Sequence, residues 1–160
     1  MNIVVFGCDN SGKTTLSLLL DSILGGYVHS PGPLPTAEKQ KEFIAKNLDR
    51  NKINIFDRFP IIEERVCGTV LRNKNNFDND LEYVEKTFSQ IDLFIYCDPG
   101  YSSVTNWGTR EQMDGIKDNI QSLIEGYKKV YDYLLEKGYT VIKYNYNENG
   151  KFIKYEEIDN

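Results

Sequence analysis

Eight residues near the start of the chain, Gly7-Cys8-Asp9-Asn10-Ser11-Gly12-Lys13-Thr14, fit the pattern G-x-x-x-x-G-K-[ST] without a mismatch. Each residue type has a physical use around phosphate. The glycines let the backbone wrap closely, so that successive N–H groups point inward at an anion. Lys13 offers a mobile positive charge for the β- and γ-phosphates, and the Thr14 hydroxyl can ligate Mg²⁺. The context fits as well. Asn2–Phe6 is a short apolar run of strand length, and a helix follows with Leu16, Leu19, Leu20, Ile23 and Leu24 on one stripe, ending at Gly25-Gly26. The positive end of that helix adds to the field of the loop. Residues 7–15, Thr15 included, are therefore expected to cradle nucleotide phosphates.

A second constellation is Asp57-Arg58, directly after the apolar run Ile53–Phe56. Alone, the pair also fits a capping aspartate with a solvated arginine. At a strand end beside the phosphate loop, Asp57 can hold magnesium or its waters, and Arg58 can clamp a phosphate with a planar fork. The segment after Pro60 is predicted helical through about Leu71. Arg65 and Arg72 are seven residues apart there and should share a face. They could reach an acceptor nucleotide, with Glu64 on its sugar or base; the alternative is a solvated charged face. His29 is expected to be an ordinary loop histidine, and Tyr127 and Tyr131 packing residues.

These groups need a scaffold that brings strand ends together. Strand and helix alternate along the chain, which predicts an α/β fold with a parallel sheet of about five strands flanked by helices. With the phosphate loop, this is the P-loop NTPase type, in a single domain over residues 1–160. The expected strands are Asn2–Phe6, Tyr27–His29, Ile53–Phe56, Ile91–Cys97 and Tyr139–Tyr144. The expected helices follow the first loop and then cover Thr36–Leu48, the segment after Pro60, a stretch using Leu81, Val84 and Phe88, and Asp114–Lys137. The last carries Ile116, Ile120, Leu123, Tyr127, Val130 and Leu134 at helical spacing. Asn149-Gly150 between β-prone runs suggests a hairpin and a C-terminal edge strand.

The formal charge of −5 argues against a broad nucleic-acid surface, though not against small anionic ligands. No apolar stretch reaches membrane-spanning length, and Met1 runs into a strand without a secretory signal, so a cytoplasmic protein is expected. Three cysteines without a C-x-x-C pair, and one histidine, point to incidental thiols rather than a disulfide framework or zinc site. Partners are expected to be small nucleotides, with no nucleic acid and no membrane; a homodimer is left open.

Gly7-x-Asp9-x-x-Gly12-Lys13-Thr14, Ser30-Pro31-Gly32 after the second strand, Asp57-Arg58-Phe59, and Ile95-Tyr96-Cys97-Asp98-Pro99 together resemble thymidylate kinases and related virus-encoded deoxynucleotide kinases. The resemblance implies ATP and Mg²⁺ as cofactors and transfer of phosphate to a deoxynucleoside monophosphate, dTMP favoured. It implies that Asp9 faces the sugar 3′-hydroxyl or the Asp57-Arg58 pair, and that Arg58 holds the acceptor phosphate. Arg110 would be a lid arginine over ATP, Phe43 would be available to stack on the base, and Asn145–Asn147 would border the adenine. The chain departs from the family at Ser30, where an acidic residue is usual, and at Ile62, Glu63, Val66 and Cys67.

The expected catalytic groups are thus Lys13, Arg58 and Arg110, with Thr14 and Asp57 toward the metal. A phosphate acceptor is already nucleophilic near neutral pH, so catalysis would be positioning and charge neutralisation. A deoxynucleoside kinase is the nearest rival and would need a carboxylate base such as Asp57 or Glu64. A nucleotide-holding module without turnover is another. A GTPase switch is disfavoured, because Asn73-Lys74-Asn75-Asn76 lacks the aspartate of N-K-x-D.

Overall fold

The computed structural model describes residues 1–148; the Asn149-Gly150 hairpin and the C-terminal edge strand lie outside them. The elements in chain order are β1 (Asn2–Phe6), α1 (Lys13–Leu24), β2 (Tyr27–His29), α2 (Ala37–Asn47) and β3 (Asn54–Asp57). A bent helical segment follows, formed by α3 (Pro60–Glu63), a π-helical turn (Glu64–Gly68) and α4 (Thr69–Arg72). The chain continues through α5 (Leu81–Phe88), β4 (Leu93–Cys97), a short α6 (Tyr101–Val104), α7 (Ile120–Glu136) and β5 (Val141–Tyr144).

The strands form one parallel sheet in the order β2-β3-β1-β4-β5. All five residues of β1 are buried, as a central parallel strand covered on both faces requires. Alternation splits them between two cores. Ile3 and Val5 join Ile55, Leu93, Ile95 and Cys97 beneath Leu16 and Leu20 of α1. Val4 and Phe6 face the larger core with Phe56, Phe94 and Tyr96, covered by α2, α3, α5 and α7. Aromatic rings fill much of this side: Phe6 stacks on Tyr96 at 5.3 Å and Tyr96 on Tyr131 at 5.1 Å. Leu19 departs from the expected stripe and is exposed.

The chain runs outward from β1 to β2, returns to β3, and then crosses β1 to β4. In such sheets the ligand crevice opens at the carboxyl ends of the strands where this reversal occurs. The loops carrying Gly7–Gly12, Asp57-Arg58 and Asp98 all leave from that edge. The longest helix starts at Ile120, six residues later than the apolar periodicity predicts. Gly115 takes a left-handed φ of 83°, and the Asn119 side chain donates to the Gly115 carbonyl, so 114–119 folds as turns.

Candidate active site

The loop after β1 is shaped by conformations that few side chains tolerate. Gly7 has φ 146°, and a Cβ there would lie 2.4 Å from the Cys97 carbonyl oxygen on the neighbouring strand. Gly12 has φ 90° and caps α1, with the Tyr146 ring against it. Lys13 opens that helix yet is buried, its Nζ donating to the Cys8 carbonyl across the loop at 2.5 Å. Thr14 Oγ1 donates to Asp57 Oδ2 at 2.6 Å, joining the ends of β1 and β3.

Among the described residues, two buried polar atoms here have no hydrogen-bond partner: Ser11 Oγ and Asp57 Oδ1. An orphaned carboxylate oxygen beside a threonine hydroxyl and a lysine fits a magnesium-bound phosphate chain, which needs only one or two protein oxygens. Cys8 is buried, and burial, opposed by Lys13, pushes its thiol up to about 12; burial does the same for Cys67 and Cys97. All three thiols are free and protonated near neutral pH.

A cleft of about 660 Å³ continues from this loop. Its near end holds Cys8, Asp9, Thr14, Asp57 and Arg58; its far end holds Gln40, Glu64, Arg72 and Asn76. The Ser30–Pro35 loop forms one wall, and Met113, Ile116, Ile120 and Leu123 form an apolar one. Arg58 has φ 78° and pairs with Asp9. Burial works against the Arg58 charge, but Asp9 and then Glu63 outweigh it and raise its pKa. At the far end Glu64 accepts from Gln40 Nε2 at 2.8 Å, Arg72 Nη2 at 3.0 Å and the Asn76 amide at 3.1 Å.

The cleft thus gathers Cys8, Asp9, Thr14, Asp57, Arg58, Glu64 and Arg72; Lys13 and the rest of Gly7–Thr15 lie behind its lining in the loop, and Phe43, Arg65 and Arg110 lie away from it. Arg65 and Arg72 do not share a face. A π turn, closed by i→i+5 hydrogen bonds, takes more residues per revolution, so the 3.6-residue count slips across Glu64–Gly68. Arg72 turns to Glu64, whereas Arg65 lies over the Tyr133 ring of α7 at 4.3 Å. Phe43 packs edge-on against Phe56 and His29, on the core side of α2, and Gln40 is the α2 residue that faces the cleft. Arg110 is exposed; it donates from Nη2 to the Asn106 carbonyl at 2.9 Å and from Nε to Trp107 at 3.2 Å. Asn10 of the phosphate loop reaches the same Asn106 oxygen and that of Ser103, which ties the Arg110 segment to the loop. Asn147 donates to Pro99 and Ser103, placing 145–147 at the same rim.

Gln40 and Asn76, not singled out from sequence, face the cleft, and Tyr127, expected to pack, is buried as expected and also donates its hydroxyl to Glu63 at the cleft. Tyr127 had a signal, as the one polar-tipped member of the Ile116-Ile120-Leu123 stripe, whose other members form the apolar wall. Glu63 stands as a departure from the family pattern, but the residue count along a presumed α-helix cannot tell its direction from that of Glu64.

A scan against protein-family models finds no match, and a search of curated proteins finds none either. Solved structures do match. YorR protein from Bacillus subtilis, in complex with phosphorylated GDP, is 20% identical at TM-score 0.70, covering 99% of this chain and 91% of that one. Deoxyadenosine kinase from M. mycoides with bound dATP is 14% identical at TM-score 0.61, with 92% of each chain covered. Thymidylate kinase from Candida albicans is 14% identical at TM-score 0.55, covering 98% of this chain and 87% of that one. At these identities the likeness is one of fold: a five-stranded parallel sheet flanked by helices.

Proposed function

We propose that this chain transfers the terminal phosphoryl group of ATP to a deoxynucleoside monophosphate. The observation that carries this reading is continuity: the phosphate loop with Lys13, Thr14 and Asp57 opens into the same cleft that holds Arg58 and the polar cluster at Glu64. Donor and acceptor phosphates would meet between Lys13 and Arg58. Lys13 neutralises charge on the donor phosphates, and Arg58 turns its fork from Asp9 toward the acceptor phosphate, leaving Asp9 for the sugar hydroxyl. Magnesium, held by Thr14 and Asp57, would supply further charge neutralisation when bound. The phosphate acceptor needs no strong base, so binding both substrates in register does most of the work. The fold neighbours, a deoxyadenosine kinase and a thymidylate kinase among them, support this reading by analogy of scaffold.

Arg110 would close over the donor phosphates. It is exposed, and among the described residues it is held by two backbone carbonyls, on a segment tied to the phosphate loop through Asn10. A group that engages only in the closed complex stabilises mainly the transition state. Arg110→Ala should therefore slow single-turnover transfer at saturating substrates by about tenfold or more while leaving both affinities near normal. An unchanged single-turnover rate removes this role.

One observation favours a second reading, a deoxynucleoside kinase. Both cleft arginines already hold carboxylates, and the orphaned Asp57 Oδ1 could take a hydroxyl proton. A panel of deoxynucleosides and their monophosphates, with ATP and Mg²⁺ and ADP release as readout, separates the two. Consumption of monophosphates supports the first reading, and consumption of nucleosides alone the second. ATP binding without consumption of either leaves a nucleotide-holding module. Thymine as the acceptor base rests on the family resemblance alone.

A further inference from the structure

Separate segments of the cleft wall meet at one carboxylate. Glu64 is buried in the π turn; its Oε1 accepts from Gln40 Nε2 at 2.8 Å and from Arg72 Nη2 at 3.0 Å, and its Oε2 from the Asn76 amide at 3.1 Å. Gln40, itself buried, extends the tie. Its Nε2 also donates to the Leu34 carbonyl at 3.0 Å, in the Ser30–Pro35 wall, and its Oε1 accepts from Asn76 Nδ2 at 3.3 Å. Gly68 makes room for the cluster. A Cβ there would lie 3.0 Å from Glu64 Oε2, 3.3 Å from Arg72 Nη2 and 2.4 Å from the Lys74 carbonyl oxygen.

The two charged members of this cluster differ in what they have left to offer. A carboxylate carries about four lone-pair sites, and protein donors already occupy most of those on Glu64. Arg72 is the opposite case. Its side chain is 55% exposed and lines the cleft, and among the described residues its one hydrogen bond goes to Glu64. The remaining N–H groups of its planar fork are left for a ligand. A long side chain loses rotamer freedom when it binds, and an arginine already fixed at one end by a buried carboxylate loses less of it.

The cluster is separate from the phosphate machinery. Among the described residues, the hydrogen bonds of Gln40, Glu64 and Arg72 run to one another, to Asn76 and to Leu34, and none reaches Gly7–Thr14, Asp57 or Arg58. Resting on the reading of this cleft as an acceptor-nucleotide site, we propose that Arg72 binds the nucleoside end of the acceptor through a carbonyl oxygen or ring nitrogen, and that Glu64 is a positioning residue that acts through Arg72 and touches no substrate. Groups that only donate, as the Arg72 fork does, require an accepting atom on the ligand. Glu64, with its lone pairs engaged by Gln40, Arg72 and Asn76, is not the proton acceptor of a phosphoryl transfer.

The test is a double-mutant cycle, read by titration calorimetry of dAMP, dCMP, dGMP and dTMP into the full chain with ADP and Mg²⁺ filling the phosphate loop. Arg72→Met keeps the stem and removes the donors. It should weaken the tightest of the four by roughly tenfold, the scale of a hydrogen bond from a charged group, with ADP affinity unchanged. Arg72→Lys, which keeps the charge and loses the fork, should recover only part of that loss. Glu64→Ala should weaken binding about threefold or more when Arg72 is present, and less than roughly twofold in the Arg72→Met chain, where no arginine remains for it to act through. Where Glu64→Ala does not fold, Glu64→Gln carries the same comparison. Unchanged binding in Arg72→Met overturns the inference, and so does a Glu64 substitution that costs the same factor in both backgrounds, as a substrate contact or a merely structural residue would. If ADP binds and none of the four monophosphates does, the acceptor-site reading itself fails, and the inference with it.

Discussion

Lys13→Ala is expected to lower kcat by about a hundredfold or more, the scale of loss seen when one preorganised electrostatic donor is removed from a reacting phosphate or oxyanion. The side chain is buried, and the Cys8 carbonyl holds its ammonium inside the loop. Truncation therefore deletes the charge at the centre of the cradle. The fold should survive it. Lys13 is the first residue of α1, where alanine is a good helix former, and the lost hydrogen bond is worth only about 1 kcal/mol. The measurement pairs steady-state turnover with far-ultraviolet circular dichroism and a melting curve. Near-normal turnover in a folded variant would exclude a phosphate-loop mechanism.

Arg58→Ala is expected to cost about a hundredfold in kcat/KM for the acceptor, through a raised KM and a lowered kcat, with little change in ATP affinity. Arg58 lies at the mouth of the cleft between the phosphate loop and the acceptor side, and its partner Asp9 holds it there. Its left-handed φ of 78° is strained for alanine as for arginine, so the comparison adds no new backbone term. Truncation also leaves Asp9 without its ion partner, which Arg58→Lys controls for: lysine keeps the charge and loses the planar fork. Partial recovery in the lysine variant would assign the loss to phosphate binding. A collapse of ATP affinity with acceptor binding intact would place Arg58 on the donor side instead.

The phosphate loop, the order of strands and helices, and the Asp57-Arg58 pair could be read directly from the chain. The reason is that each depends on neighbours in sequence. A loop that cradles phosphate must combine glycines, a lysine and a hydroxyl within eight residues, and a buried parallel strand must be a short unbroken apolar run. The parallel sheet follows from the alternation, since consecutive parallel strands need a crossover between them. Even the cleft's apolar wall was present in outline, as the Ile116-Ile120-Leu123-Tyr127 stripe.

The end of the cleft away from the phosphate loop was decided by tertiary structure. Arg65 and Arg72 were expected on one face, and the π turn at Glu64–Gly68 sends one to Tyr133 and the other into the cleft. That same turn brings Glu64 to Gln40 of α2, 24 residues earlier. Phe43 was available for stacking by type, but packing against Phe56 and His29 claims it for the core and leaves Gln40 facing the cleft. Glu63 gains its place from Tyr127, 64 residues away on α7, a contact that no local pattern encodes. A phosphate is met by backbone and by residues close in sequence, whereas the far end of this cleft is assembled from α2, the bent helix and α7, whose relative rotation only packing sets.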